Sequence, residues 1–194
     1  MKELKDMTLE ELWQLFPIIL KEHNPDYQLW YAEEKEHLLH ILNDCDVRRI
    51  NHIGSTSVKG LIAKPIVDIL LELPETYDMS SITHLLQSSG WLLMAKNEEE
   101  RMFDLNKGYT PKGFANKVYH LHVKPSGDWD ELYFRDYLQS RPDAAQLYET
   151  LKLNLLKQFE HDRDAYTNAK SEFVAWYTQK AREEFEGRYL PFQR

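Results

Sequence analysis

Apolar residues recur along this chain in two rhythms, and the change between them separates a sheet-forming region from a helical one. Thr8 with Glu11 forms a capping box ahead of Leu9, Leu12, Trp13 and Phe16, which predicts a short helix. Ile18, Ile19 and Leu20 have the character of a first strand. Asn24-Pro25-Asp26 is a turn that opens a helix, with Trp30, Leu38, Ile41 and Leu42 on one face and an end near Asn43. Strands are predicted over 47–53, 65–73, 91–94, 98–106 and 118–124, with a helix over 79–89 stopped by Gly90 and a loop over 107–117. A turn over 54–60 opens a short helix or loop. From Trp129 onward the period becomes helical: Leu147, Leu151 and Leu155 are four apart, and Tyr166, Ala169, Phe173, Trp176 or Tyr177, and Ala181 continue the pattern. Pro142 sits where a helix start tolerates its lost N–H. Strands first and helices after predict an α+β fold with a C-terminal helical hairpin.

Composition narrows this picture. At 194 residues the chain fits one domain, 1–194, with 1–24 as an N-terminal extension and 128–187 as the helical C-terminal part. Its 42% apolar and 12% aromatic content excludes global disorder. One cysteine, Cys45, allows no intrachain disulfide and fits a reducing compartment. The charged N-terminal residues lack a signal-peptide core, and no apolar run reaches membrane-span length. The expectation is a soluble cytoplasmic protein with no membrane partner.

The net charge of −8 argues against binding bulk nucleic acid. The charge is unevenly spread, however. Over 47–71 four bases face only Asp68, and over 105–127 there are four lysines and no acid. Two positive segments in an acidic chain are either solvated loops or the borders of one anion site.

Within the first segment, Asp68 stands in the apolar strand "PIVDILLEL". Ile66, Asp68, Leu70 and Glu72 share one strand face. A carboxylate there needs a partner, either an ion pair with Lys64, Arg101 or Arg135, or a metal beside a phosphate-binding turn. Gly54-Ser55-Thr56-Ser57 supplies such a turn: glycine admits close backbone approach and the hydroxyls donate. These residues are also ordinary helix caps. In "YHLHV", His120 and His122 point to one face, where two imidazoles bind an anion or share a metal. In "YFRDYL", Arg135 suits bidentate phosphate binding or a clamp between helix and sheet.

The stretches "HIGSTSVKGLIAKPIVDILLEL", "HLHV", "LYFRDYLQSRPDAAQLYETLK" and "YTNAKSEFV" together resemble the GrpB family. The resemblance implies a branch of the nucleotidyltransferase superfold shared with polymerase beta, a mixed sheet flanked by helices. Ile53, Gly54 and Ser55 match the start of the superfamily pattern, and twelve residues separate Ser55 from Asp68. Leu70 stands where that pattern has its second carboxylate, and His120 and His122 occupy the strand that would supply a third acid. The implied site has Asp68 and His122 as catalytic and metal-holding residues. Gly54, Ser55, Thr56, Ser57, Lys64, His120 and Arg135 would hold a nucleotide or other phosphate-bearing small molecule, with Mg²⁺ or Mn²⁺ as cofactor. The resemblance equally implies a non-catalytic nucleotide-binding module that assists a protein partner in nucleotide or coenzyme A metabolism. A third reading is a protein-interaction domain built on the C-terminal helices.

Overall fold

The computed structural model describes residues 2–191. A short helix α1 (Leu9–Leu15) starts at the Thr8–Glu11 capping box, and α2 (Tyr27–Ile41) follows. The strands are β1 (Arg49–Ile53), β2 (Val67–Leu73), β3 (Leu92–Asn97), β4 (Met102–Thr110) and β5 (Gly113–Pro125), with α3 (Met79–Ser88) between β2 and β3. They form one sheet in the order β1-β2-β5-β4-β3. Only β2 and β5 run parallel; the other neighbours are antiparallel. The helical C-terminal part comprises α4 (Asp130–Ser140), α5 (Pro142–Phe159), α6 (Arg163–Asn168) and α7 (Ser171–Glu184).

Two expectations are corrected here. Ile18, Ile19 and Leu20 form no strand; this extended segment makes one isolated bridge, Lys21 to Ala63. Ile18 is instead buried against Leu155 and Tyr166, so its apolar character serves a helix contact. The stretch 107–117 is mostly strand rather than loop. β4 and β5 continue as a hairpin through it, and Gly113 at φ 106° takes the turn position that side chains avoid.

Alternation in β2 sorts its residues between two layers. Val67, Ile69, Leu71 and Leu73 join Leu38, Leu86 and Trp91 in the main core beneath α2 and α3. Leu70 faces the other way, packed with Ile53 and Leu132. Glu72 lies on that second face too and is fully buried. Arg49 meets it through two hydrogen bonds of 2.9 and 2.7 Å, and the Gly127 N–H donates a third at 3.1 Å. Glu72 is therefore consumed by structure and leaves Asp68 as the acid of β2 open to chemistry.

Candidate functional site

β2 and β5 set the site. Their parallel register places Asp68 beside His120 and Leu70 beside His122, and β4 adds Asp104 opposite His122. Asp68 and His122 thus share the face toward the C-terminal helices, where a cleft of about 860 Å³ opens.

Asp68 does not pair with Lys64, Arg101 or Arg135 within ion-pair distance; its Oδ1 meets His120 Nδ1 at 3.1 Å. The neighbouring polar atoms fix the tautomer. Arg163 Nη2 donates to the Tyr109 hydroxyl at 3.1 Å, and that hydroxyl lies 2.8 Å from His120 Nε2. The Asp68 carboxylate only accepts, so the His120 proton sits on Nδ1 and goes to Asp68; in the neutral ring Nε2 then accepts from the Tyr109 hydroxyl, whose oxygen accepts from arginine. Burial pushes the His120 imidazole below its ordinary pKa, with Lys64 and His122 adding to the effect, which suits this neutral form. Burial pushes the Asp68 carboxyl up, but the hydrogen bond from His120 and the positive charge of His122 and Lys64 outweigh it, leaving Asp68 a carboxylate.

His122 has a separate partner, with Nδ1 2.7 Å from Asp104 Oδ1. Burial pushes this imidazole down, but the Asp104 hydrogen bond and the charges of Asp68, Asp104 and Glu131 hold it above its ordinary pKa. Each histidine thus has its own carboxylate partner, and both His120 nitrogens are engaged within the protein.

The turn before β2 explains Gly54. Its φ of 69° lies in the region side chains avoid, and a Cβ there would meet Asp68 Oδ2 at 2.3 Å. The three hydroxyls that follow are not equivalent. Thr56 Oγ1 donates to the Ile66 carbonyl and lies 3.0 Å from His52 Nε2. Ser57 Oγ donates back to the Gly54 carbonyl at 2.6 Å. Both hydroxyls hold the turn, and Thr56 and Ser57 are themselves buried. Ser55 lines the cleft, where Lys152 Nζ donates to its Oγ at 3.2 Å.

Arg135 is placed elsewhere. Its guanidinium donates to Asn51 Oδ1, the His52 carbonyl, Asp136 and the Tyr189 hydroxyl. It clamps α4 to β1 and the C-terminal segment, and does not line the cleft.

The cleft holds a cation set that the sequence patterns did not single out beyond Lys64. Lys64, Lys152 of α5, Arg163 of α6 and Lys170 between α6 and α7 all line it. None of the four has a carboxylate within ion-pair distance among the described residues. Lys152 is only 2% exposed. Burial, reinforced by neighbouring cations, pushes Lys64 and Lys152 down to about 7. Lys170 is lowered for the same reasons, burial first and Arg163 in addition. Tyr166 and Thr178 also line the cleft, and their buried hydroxyls lack a hydrogen-bond partner among the described residues. The one available hint was Lys152 itself. It stands four residues after Tyr148 and three before Leu155 on the buried stripe of α5, where a lysine is out of place.

As a metal centre the donor set is thin. Among the described residues no three His, Cys, Asp or Glu side chains converge on a point. With Leu70 in the second acid position, the site lacks the carboxylate pair that holds two ions. One Mg²⁺ held by a single carboxylate together with ligand phosphates fits these residues, since that ion commonly binds so.

Comparison with known proteins places this geometry in context. The family model described as "GrpB protein" matches residues 17–180. The glutamate-rich protein GrpB of Alkalihalophilus pseudofirmus is 32% identical over 161 residues, covering 81% of this chain and 91% of that one. A UPF0157 protein of Pseudomonas aeruginosa is 40% identical over 127 residues, covering 65% of this chain but about half (52%) of its own length. The crystal structure of the conserved protein GrpB from Enterococcus faecalis superposes with a TM-score of 0.73 at 27% identity, over 86% of this chain and 99% of that one. A structure of the Cid1 poly(U) polymerase with Mg and 3′-dATP bound reaches a TM-score of 0.51 at 10% identity, over 83% of this chain and 51% of that one. At that identity the likeness is one of fold: the chain has a nucleotidyltransferase-like α+β architecture. No helix among the described residues is long and apolar enough to cross a membrane.

Proposed function

The chain belongs to the GrpB family, and we propose that it binds a phosphate-bearing small molecule of the nucleotide class in the cleft beside Asp68. One observation carries this reading. Four cationic side chains from separate places in the chain converge on the cleft with no carboxylate paired to them. Holding a cation such as Lys152 out of water without a counter-charge costs several kcal/mol. An anion offsets that cost, and a polyphosphate offers charge to all four groups at once. The unpartnered hydroxyls of Tyr166 and Thr178 supply further donors in the same space. The volume of about 860 Å³ suits a nucleotide-sized ligand.

The residues divide the work. Lys64, Arg163 and Lys170 face the phosphates. Gly54 lets the turn backbone come close to the ligand, and Ser55 presents a hydroxyl to the cleft, where the Thr56 hydroxyl is already spent on the Ile66 carbonyl. The Arg163–Tyr109–His120 chain holds Asp68 ionised and oriented. A bound Mg²⁺ or Mn²⁺ would sit on Asp68, with His122 at hand, and would neutralise phosphate charge. Transfer of a nucleotide to an outside acceptor by the two-ion route is not part of this reading, because the second carboxylate is a leucine.

A thermal-shift panel tests this. Nucleoside di- and triphosphates should raise the unfolding midpoint at pH 7, by about 2.7 kcal/mol of stability at a hundred times Kd. Nucleosides without phosphate should not. Equal shifts with adenosine and ATP would show that the cations do not select the ligand.

A further inference from the structure

Resting on that binding reading, we propose that Ser55 is itself a nucleophile, which takes a nucleoside monophosphate group from a bound nucleoside triphosphate with Lys152 accepting its proton. Beside Asp68 the protein places a hydroxyl and an amine of its own on the wall of the cleft.

The geometry is specific. Ser55 directly follows Gly54, whose left-handed φ and contact with Asp68 fix the turn beside the acid. Lys152 Nζ lies 3.2 Å from Ser55 Oγ, and its other recorded partner is the Ile62 carbonyl. Glu149, one turn earlier on α5, accepts the Ile62 N–H at 2.9 Å. Two side chains of one helix thus grip one peptide residue from both sides, which locks the amine against the turn. Lys152 has no carboxylate within ion-pair distance among the described residues, and burial with the Lys170 and Lys64 charges outweighs the pull of Glu149, so the neutral amine prevails above about pH 7. Bound triphosphate draws protons back toward this amine, so the reacting form is the share of the complex in which Nζ is neutral, and there Nζ accepts from the Ser55 O–H across the same 3.2 Å.

The step balances without an added reactant. Ser55 Oγ forms a bond to the phosphorus that carries the nucleoside. The bond from that phosphorus to the bridging oxygen breaks, and its electron pair leaves with pyrophosphate. The serine proton goes to Lys152 Nζ. The pyrophosphate charge is met by Lys64, Arg163 and Lys170.

The test incubates the full chain with ATP, GTP, CTP or UTP and MgCl₂ at pH 8, then reads intact mass and maps peptides, with thermal shift in parallel. Wild type should gain one nucleoside monophosphate on Ser55 with at least one of the four. Ser55→Ala should gain none. Lys152→Arg keeps the positive charge but cannot accept the proton, and it should label at least tenfold more slowly. Both variants keep the cationic lining, so both should still show a thermal shift, smaller in Ser55→Ala, which loses a hydroxyl donor. A wild type that shows the shift but no adduct overturns this inference and leaves the binding reading standing; neither shift nor adduct overturns both. An adduct that survives in Ser55→Ala, or forms at the wild-type rate in Lys152→Arg, also overturns it.

Discussion

Replacing Lys64 and Lys152 together by methionine should leave the ligand-free protein at least as stable as wild type while weakening nucleotide binding by about a hundred- to ten-thousand-fold. The two halves have one cause. Each lysine is held in the cleft with no carboxylate within ion-pair distance. Methionine retains most of the side-chain bulk and removes the charge. Replacing poorly compensated buried charge with well-packed apolar groups is often neutral or stabilising by about 1–4 kcal/mol. Against this, the Ile62 carbonyl loses a donor, at about 1 kcal/mol. Binding loses two charge-assisted contacts of about 1.5–3 kcal/mol each. Thermal unfolding and titration calorimetry on the same samples read both effects. A double variant that unfolds well below wild type would mean that the lysines hold the fold together and are not reserved for a ligand.

Gly54→Ala should lower the unfolding midpoint by about 4–16 °C, equivalent to about 2–4 kcal/mol, and remove the nucleotide-induced shift. Two costs coincide at this residue. Its φ of 69° strains any side chain, and the new Cβ would lie 2.3 Å from Asp68 Oδ2. Asp68 cannot yield freely, because Oδ1 is held by His120, which is held by Tyr109. Either the turn or the acid moves, and both border the cleft. A Gly54→Ala protein with wild-type midpoint and affinity would remove the turn from the site.

Much of this site was readable in the sequence, and the limits have physical causes. The strand face shared by Asp68, Leu70 and Glu72 follows from strict alternation, and the structure keeps it. Gly54 stood out because glycine admits close backbone approach to a ligand; that its missing side chain makes room for Asp68 appears only in the fold. The hydroxyl run could not be resolved, because Thr56 and Ser57 are spent on carbonyls that only the folded turn brings near. Arg135 was open between ligand and clamp, since a guanidinium suits both; β1 and Tyr189 supply the clamp. Asp104, Tyr109 and Arg163 gave no local signal. They reach the site through the β4–β5 hairpin and through α6, and hairpin length was obscured by Gly108, Pro111 and Gly113, which read as loop. Lys170 lay within a stretch that carried the family resemblance, yet its place in the cleft depends on how α6 and α7 pack.

The central claim is that the cleft keeps cations partly discharged until an anion arrives. Its most direct test is the proton balance of binding, measured by titrating ATP at pH 8 in buffers of differing ionisation enthalpy. Lys64 and Lys152, held at about 7, are mostly neutral at that pH in the free protein. In the unfolded chain a lysine stays charged to about 10.4. Across that window the unfolded state holds more protons, so ligand-free stability rises with pH. A bound polyphosphate, already fully ionised at pH 8, draws the protons back. The account predicts uptake of about one to two protons per ATP at pH 8, falling toward zero below pH 6, with affinity weakening as pH rises. Binding with no proton uptake at pH 8, and with affinity flat from pH 6 to 9, would contradict it.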